Sequence, residues 1–266
     1  MAQQQGLPRI DAQMLLLHVL GRATHDRAWL IAHDGDALTP GAAAPFDALC
    51  ARRLRGEPVA YLTGTKAFHG LTLHVDARVL DPRDDTETLV DWALDLLPAD
   101  QPARVLDLGT GSGAIALALA AAHPRADVWA VDASADALAV ARANGQRLGL
   151  AVRWHHGDWL APVAGERFDV IVSNPPYIAE GDPHLAALAH EPRQALASGP
   201  DGLRDLRALC AAAPAHLRPG GWLLLEHGHD QATAVRALLQ QAGLGQVQSR
   251  RDLAGIERCS GGQRPA

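Results

Sequence analysis

A short apolar strand, followed at once by closely spaced glycines and an apolar helix, constrains the fold of this chain most. The strand is predicted over 104–108, the glycines are Gly109, Gly111 and Gly113, and the helix covers 114–120. Glycine permits a tight turn and lets a ligand approach the backbone. The start of a helix offers free N–H groups to an anionic group. The pattern predicts an α/β domain with a ligand at this turn.

The spacing of these glycines separates two classes of nucleotide-binding enzyme. It is Gly-x-Gly-x-Gly rather than the Gly-x-Gly-x-x-Gly of dinucleotide sites, and Asp107 precedes the first glycine by two residues. This argues against a nicotinamide-dependent dehydrogenase and resembles the first motif of methyltransferases that use S-adenosylmethionine. A glycine turn without a ligand is the alternative if the later elements lack binding residues. The candidate cofactor-binding residues of the loop are Gly109, Thr110, Gly111, Ser112 and Gly113.

Acidic residues follow the next two predicted strands. Asp132 ends the second strand, where a carboxylate can accept the ribose hydroxyls of a nucleoside. Because Ser134 is the better helix cap, we expect Asp132 to be free for the ligand. Asp158 and Trp159 follow the third strand, at positions that flank the adenine in such methyltransferases. We expect Asp158 to accept from the adenine amine and Trp159 to pack on the base or donate its backbone N–H. A helix N-cap is the alternative role of either acid.

The tetrapeptide Asn174-Pro175-Pro176-Tyr177 follows a fourth apolar strand, 168–173. Its prolines lack an N–H and have a fixed φ, so the turn is stiff and offers carbonyl oxygens. Acceptors on Asn174 and Pro175 beside a flat ring suit a planar nitrogen with two hydrogens, in an amide or an exocyclic amine. Asn174, Pro175 and Tyr177 are therefore the catalytic candidates. Pro176 completes the substrate-binding turn, and Asn174 is also expected to contact the cofactor.

Three regions are predicted along the chain. Residues 1–65 form a small helical N-terminal domain, residues 66–80 a β-hairpin linker, and residues 81–266 the methyltransferase domain. An antiparallel pair of strands, predicted over 246–251 and 256–260, closes a seven-stranded, mostly parallel sheet. The fold class is therefore α/β, with a Rossmann-like catalytic domain.

Capping and breaking residues divide the N-terminal region. The first helix is expected to begin at Asp11 and to end at Gly21. A second helix is predicted over 27–33 and a third over 43–55. Pro58 is expected to end the helical pattern.

Charge narrows the class of partner. The net charge is −6, with +1 in the first 75 residues and −7 in the remainder. Enzymes that act on duplex DNA usually carry a basic stripe that neutralises phosphates, so no duplex DNA is expected. Arg52, Arg53 and Arg55 form the only local basic cluster. A solvated helix face is its default interpretation, and contact with ribosomal RNA or a protein partner is the weaker alternative.

Composition also indicates the compartment. The three scattered cysteines suggest a reducing environment without disulfides. The sequence has no apolar stretch long enough to predict a membrane span. Met1–Gly6 does not resemble a signal peptide. A cytoplasmic location without membrane contact is therefore expected. No bound metal is predicted, because Glu226, His227 and His229 form only a weak cluster.

Longer blocks of sequence extend these motifs over nearly the whole chain. They are 55–64, 79–87, 107–113, 174–178, 191–192, 226–228, 251–252 and 257–258. Together they resemble the HemK/PrmC family, the peptide chain release factor N5-glutamine methyltransferases. The resemblance implies a helical domain that binds release factors, a hairpin linker and a Rossmann-like catalytic domain. It also implies S-adenosylmethionine as cofactor and the glutamine of the release factor Gly-Gly-Gln loop as substrate.

Two segments depart from the family pattern. Asp81 and Asp84 stand where the family has isoleucine and proline, which adds charge near the cofactor mouth. The tail reads Cys259-Ser-Gly-Gly-Gln263 in place of Val-Thr-Leu-Gly. This tail repeats the substrate tripeptide. Chance is the simpler explanation, and self-methylation or self-inhibition at Gln263 is the sharper hypothesis.

The nucleophile determines what the site must do. A glutamine amide nitrogen is a poor nucleophile because its lone pair is delocalised, so alignment with the methyl group matters more than a strong base. Our hypothesis is that Asn174 and the Pro175 carbonyl each accept one N–H of the amide while Tyr177 packs on it. Three alternatives use the same residues. They are an N6-adenine nucleic acid methyltransferase, a glutamine methyltransferase of a ribosomal protein, and a non-catalytic module that binds the cofactor or a release factor.

Overall fold

The computed structural model describes residues 6–98 and 101–266, so most of the segment examined for a signal peptide lies outside it. The chain begins with short helices and a β-hairpin. The helices are α1 (Arg9–Val19), α2 (Arg27–Ala32), α3 (Pro40–Leu54) and α4 (Val59–Thr63), and the hairpin strands are β1 (Thr65–Phe68) and β2 (Leu71–His74).

The prolines of this region start helices where the sequence suggested otherwise. Helix α1 begins before Asp11 because Pro8 stands at its N-cap, and α3 begins at Pro40 rather than Ala43. The expectation that Pro58 ends the helical pattern is wrong, because it occupies the N-cap of α4. A fixed φ and a missing N–H are compatible with a helix start, where the first N–H groups have no partner within the helix.

The catalytic region alternates strands and helices. Its strands are β3 (Ala103–Leu108), β4 (Ala126–Asp132), β5 (Arg153–His156), β6 (Phe168–Ser173), β7 (Leu217–Glu226), β8 (Gly245–Arg251) and β9 (Glu257–Gln263). Its helices are α5 (Glu87–Leu96), α6 (Ala114–Ala122), α7 (Ala135–Leu148), α8 (Arg204–Ala212) and α9 (Ala232–Gln241).

Seven strands of the described residues form one sheet in the order β5-β4-β3-β6-β7-β9-β8. The first five are parallel, and β9 runs antiparallel to both of its neighbours. This confirms the predicted Rossmann-like fold, including the antiparallel closing pair. The reversal of strand order beside β3 places the loops after β3, β4 and β6 together, where ligands bind in open α/β sheets.

Both faces of the sheet are buried, which explains the continuous apolar runs of the central strands. On one face, Val105 and Val170 pack with α5, α6, α7 and the hairpin. On the other, Leu106 and Ile171 pack with α8 and α9. None of the helices in the described residues is long and apolar enough to cross a membrane.

Asn144 on α7 connects the hairpin to the glycine loop. Its side-chain oxygen accepts from the His74 N–H at 2.7 Å, and its amide nitrogen donates to the carbonyls of His74 at 2.9 Å and Ser112 at 3.0 Å. The residue is fully buried, so these bonds are shielded from water. The hairpin is thereby fixed against the loop that follows β3.

The strand β9 extends beyond its predicted end at Ser260 and includes Gly261, Gly262 and Gln263. Gln263 pairs with Trp222 at the beginning of the β7 ladder, whereas Cys259 pairs with Glu226 at its carboxyl end. The Gln263 side chain donates to the Gly220 carbonyl at 2.9 Å. The tripeptide is therefore part of the sheet, at the edge opposite the predicted catalytic turn. This argues against self-methylation in the folded chain.

Close packing explains why a glycine occupies position 261 in this tail. A Cβ atom on Gly261 would lie 2.5 Å from Leu224 Cδ2 and 3.0 Å from Trp92 Cη2. We expect Gly261→Ala to lower the free energy of unfolding by roughly 1–3 kcal/mol, measured by chemical denaturation. Gly41→Ala is the control, because its Cβ would meet nothing within 4 Å. The Leu223 carbonyl oxygen, a backbone atom, would be 2.9 Å away, so an unchanged midpoint for Gly261→Ala would mean that the strand itself can shift as well as Leu224 and Trp92.

Candidate active site

A cleft opens at the carboxyl ends of the parallel strands, as the order of the strands predicts. The loops after β3, β4, β5 and β6 all contribute to its wall. Of the residues predicted from the sequence, it is lined by Gly109, Gly111, Asp132, Asp158, Trp159, Asn174 and Pro176.

The glycine loop presents only part of itself to this cleft. Gly109 and Gly111 have φ angles of 72° and 56° and line the wall. A Cβ atom on Gly111 would meet nothing within 4 Å, so the space beside its backbone is open to a ligand. Gly113, with φ of 85°, lies behind the loop, where a Cβ would be 3.1 Å from Leu117 and from Trp154. Its role in the structure is close packing of α6 against its neighbours.

The two hydroxyl residues of the loop are buried supports rather than part of the cleft wall. Thr110 donates to Asp107 Oδ2 at 2.6 Å, and the Ala116 N–H donates to the same atom at 3.2 Å. Burial raises the pKa of Asp107 to about 7, although both hydrogen bonds oppose the shift. Ser112 is also buried and holds Asn144 through its carbonyl. Asp107 therefore ties the loop to the first turn of α6.

Asp132 lines the cleft but is not free, contrary to the expectation from the sequence. One carboxylate oxygen accepts from the Gly111 N–H and the other from the Ser134 N–H, both at 2.8 Å. Ser134 caps α7 as predicted, with its hydroxyl accepting from the Ala137 N–H at 3.1 Å. Burial raises the pKa of Asp132. Each carboxylate oxygen retains a second lone pair, so the carboxylate can still accept from ribose hydroxyls while it holds the loop in place.

Asp158 and Trp159 line the cleft together, after β5. Trp159 has a φ of 40°, a left-handed conformation that few non-glycine residues adopt. Its indole lies beside the glycine loop, since a Cβ on Gly109 would be 3.5 Å from Trp159 Cζ3. The two residues predicted to flank an adenine are therefore on the same wall as the glycine loop.

Asn174 lies where this cleft meets a second one. The second cleft is lined by Leu80, Arg83, Asn174, Tyr177, Ile178, Leu188, Ala195 and Leu196. Pro176 faces the first cleft and Tyr177 the second. Pro175 is buried and lines neither, but no N–H group of the described residues donates to its carbonyl. The tetrapeptide thus forms the boundary between the two clefts.

A buried acid that was not predicted as a site residue stands behind Asn174. The Asn174 side-chain nitrogen donates to Thr86 Oγ1 at 3.1 Å, and Thr86 donates to Glu226 Oε2 at 2.6 Å. The Tyr177 hydroxyl donates to Glu226 Oε1 at 3.1 Å. Burial raises the pKa of Glu226 to about 7, while these hydrogen bonds and the charge of Arg258 lower it. Both Thr86 and Glu226 lie in blocks that carry the family resemblance, the one signal in the sequence that could have identified them.

The two acidic departures from the family pattern are compensated by cations beside the second cleft. Asp84 Oδ1 lies 2.8 Å from the amine of Lys66, and Asp81 Oδ2 lies 3.5 Å from Arg83 Nη1. Arg83 also pairs with Glu191 at 2.5 Å. Burial raises the pKa of Asp81. The extra charges therefore belong to a local ion-pair network rather than to a free acidic rim.

The remaining candidate clusters have local structural partners. In the basic cluster, Arg52 pairs with Glu57 at 2.5 Å and Arg53 with Asp11 at 2.7 Å. His227 is fully buried, with Nε2 at 2.8 Å from Ser260 Oγ on β9. Its partner is thus on the neighbouring strand, away from the hydroxyls that bind Glu226.

The comparisons with known proteins agree with this geometry. A family model described as PrmC N-terminal domain matches residues 2–64, and one described as Methyltransferase small domain matches residues 86–203. The release factor glutamine methyltransferase of Bordetella pertussis is 56% identical over 260 residues, which cover 97% of this chain and 95% of that protein. The protein of the same name from Xylella fastidiosa strain Temecula1 is 51% identical over 267 residues, with 99% and 96% covered.

Solved structures share the fold. A methyltransferase from Pyrococcus furiosus superimposes with a TM-score of 0.58 over 81% of this chain and 98% of that one, at 22% identity. At this identity the likeness concerns the arrangement of strands and helices alone.

Proposed function

The chain belongs to the release factor glutamine methyltransferases, and from that premise we propose which of its residues carry out the reaction and how. It is a glutamine methyltransferase, as the names of its relatives state, and we assign the methyl group to the side-chain amide nitrogen (N5) of the glutamine. We assign the glutamine to the Gly-Gly-Gln loop of peptide chain release factors and the methyl donor to S-adenosylmethionine. The observation that carries the assignment of residues is the position of Asn174 where the two clefts meet.

The first cleft suits S-adenosylmethionine by the chemistry of its wall. Gly111 leaves open space beside its backbone, and Asp132 offers carboxylate acceptors for ribose hydroxyls. Asp158 and Trp159 supply an acceptor and a flat ring for the adenine. When bound, the cofactor supplies a methyl group on a positively charged sulfur.

The second cleft takes the glutamine side chain. We assign one N–H of its amide to the Asn174 Oδ1 atom and the other to the Pro175 carbonyl, which lines neither cleft but accepts from no N–H group of the described residues. Together the two acceptors fix the plane of the amide nitrogen. Tyr177 lines the same cleft and packs against the flat group. Holding two reactants in line can supply roughly 7–11 kcal/mol of the barrier, so this positioning is the main contribution of the protein.

Transfer of the methyl group to the amide nitrogen needs no strong base. The amide nitrogen forms a bond to the methyl carbon as the bond from that carbon to sulfur breaks, and the bonding electron pair stays on sulfur. The nitrogen then loses one of its two protons to solvent. Because the positive charge of the sulfur disappears, an apolar wall such as Leu80 and Leu188 favours the transfer over the starting state.

Transfer of labelled methyl groups from S-adenosylmethionine tests this proposal. The substrates are a purified release factor, its Gly-Gly-Gln to Gly-Gly-Ala variant, a ribosomal protein fraction and a DNA duplex. We expect label on the wild-type release factor alone. Label on DNA would assign the Asn174–Tyr177 turn to an adenine amine, label on ribosomal protein would change the substrate, and bound cofactor without transfer would indicate a binding module.

We further propose that residues 1–65, with helices α1–α4, bind the release factor. In this division residues 66–80 form the linker and residues 81–266 the catalytic domain. Release factors act with ribosomes, so the cytoplasm is the expected compartment. Arg52 and Arg53 are engaged in ion pairs within the chain, which does not favour contact with ribosomal RNA.

A further inference from the structure

The buried side chains behind Asn174 form a chain of hydrogen bonds with a defined direction. Asn174 contacts Thr86, Thr86 contacts Glu226, and Glu226 also contacts Tyr177, at 3.1, 2.6 and 3.1 Å. Thr86 and Glu226 are 4% and 1% exposed and line neither cleft. They are therefore not placed to touch the substrate or the cofactor.

The direction follows from the proton inventory of the groups. In the structure Glu226 accepts the hydroxyl protons of both Thr86 and Tyr177, as its ionised form must, because a carboxylate only accepts. The hydroxyl group of Thr86 has one proton, which it donates to Glu226. Its oxygen can therefore only accept a hydrogen bond from Asn174. Asn174 must then present its NH₂ group to Thr86. Its Oδ1 atom is left facing the meeting point of the clefts.

The opposite orientation of this amide would be unproductive. Oxygen and nitrogen of an asparagine differ little in shape, so packing alone distinguishes the two orientations poorly. With its NH₂ group toward the cleft, Asn174 would face the NH₂ group of the substrate glutamine with a donor. A donor left without an acceptor in a buried site is costly, and the nitrogen would lose the acceptor that fixes its plane.

We propose that Thr86 and Glu226 are positioning residues that hold the Asn174 side chain with its oxygen toward the substrate amide. This inference rests on the proposed function and deepens it. Arg258 supports the arrangement from behind, since its guanidinium lies 3.6 Å from Asp85 and 3.3 Å from Asp252 and its charge favours the Glu226 carboxylate.

Thr86→Val tests the inference, because valine keeps the branched shape and removes the hydroxyl. We expect kcat for release factor methylation to fall roughly tenfold, with the dissociation constant for S-adenosylmethionine unchanged. Thr86→Ser restores the hydroxyl and should recover most of kcat. Thr86→Ala removes the hydroxyl without filling the site and serves if the valine variant folds poorly. Loss of kcat and cofactor affinity together, without rescue by serine, would overturn the positioning role.

A matched control is available in Ser260 on β9. This buried serine contacts His227 Nε2 at 2.8 Å and lines neither cleft, so Ser260→Ala, which also removes a buried hydroxyl, should leave kcat unchanged. The decisive comparison is made in the Asn174→Ala background, with a radiolabel assay sensitive enough for its residual activity. There Thr86→Val should have no further effect, because it acts through Asn174. An equal tenfold loss in both backgrounds would refute that route.

The wild-type enzyme separates this inference from the proposed function. If the wild type does not label the release factor, both fail. If the wild type labels it and Thr86→Val does so at the same rate, the proposed function holds and the positioning role is overturned. If Thr86→Val lowers kcat when Asn174 is present but not in the Asn174→Ala background, the result supports both the proposed function and the positioning role.

Discussion

Asn174→Ala should lower kcat for release factor methylation by about 10²–10³, the range seen when one preorganised polar group of an active site is removed. The dissociation constant for S-adenosylmethionine should rise less than about tenfold, the value of a single hydrogen bond. The reason is its position: Asn174 lines both clefts and its nitrogen is held by Thr86. Single-turnover kinetics and calorimetric titration of the cofactor measure the two quantities separately.

Ser173→Ala is the matched control for this prediction. Ser173 precedes the tetrapeptide, is fully buried and donates to the Leu108 carbonyl at 2.7 Å. Its loss affects strand β6 without touching either cleft, so kcat should stay near that of the wild type. Equal losses of kcat and cofactor affinity in Asn174→Ala would show that Asn174 mainly holds the cofactor, and the proposed contact with the substrate amide would then be abandoned.

Asp132→Ala should weaken binding of S-adenosylmethionine by at least about 100-fold, because hydrogen bonds to a charged group contribute about 1.5–3 kcal/mol each. Two effects add. The carboxylate that accepts from the ribose is lost, and the N–H groups of Gly111 and Ser134 lose their acceptor. The glycine loop is then less ordered before the ligand arrives. Calorimetric titration gives the affinity, and thermal unfolding without ligand gives the contribution to the loop.

Asp136→Ala separates the specific effect from a general change in charge. Asp136 lies in the first turn of the same helix, is exposed and does not line the cleft. Its removal changes the net charge equally and should leave cofactor affinity within about threefold, since exposed charges are largely screened. Similar affinities for the Asp132 and Asp136 variants would exclude Asp132 as a direct ligand of the ribose.

What could be predicted from the sequence depends on how local the signal is. The glycine loop, Ser134 as a cap and the strand before Asn174 are each recognisable from consecutive residues, and the mostly parallel sheet follows from the alternation of strands and helices. Thr86 and Glu226 could not be found this way, because they are 140 residues apart and meet only across the folded sheet. A threonine or a glutamate on its own does not indicate a role in the site until the residue that it contacts is known.

The errors have equally local physical causes. The sequence predicts a free Asp132, but the backbone N–H groups of the turn it faces need an acceptor in a buried setting. It also predicts that Pro58 ends the helical pattern, whereas a proline at an N-cap precedes a helix. The predicted β9 is too short because glycines are poor strand formers, and the close approach of Leu224, the Leu223 carbonyl and Trp92 explains why Gly261 lies there.

The order of strands also determines how this protein can fold. Strand β9 follows β8 in the chain but lies between β7 and β8 in the sheet. Until residues 257–263 are in place, β8 has no neighbour to pair with, and β7 exposes an open edge that carries Leu223 and Leu225. Unpaired apolar edges are templates for aggregation. A nascent or truncated chain without β9 is therefore expected to depend on chaperones, because this side of the sheet closes in one late step.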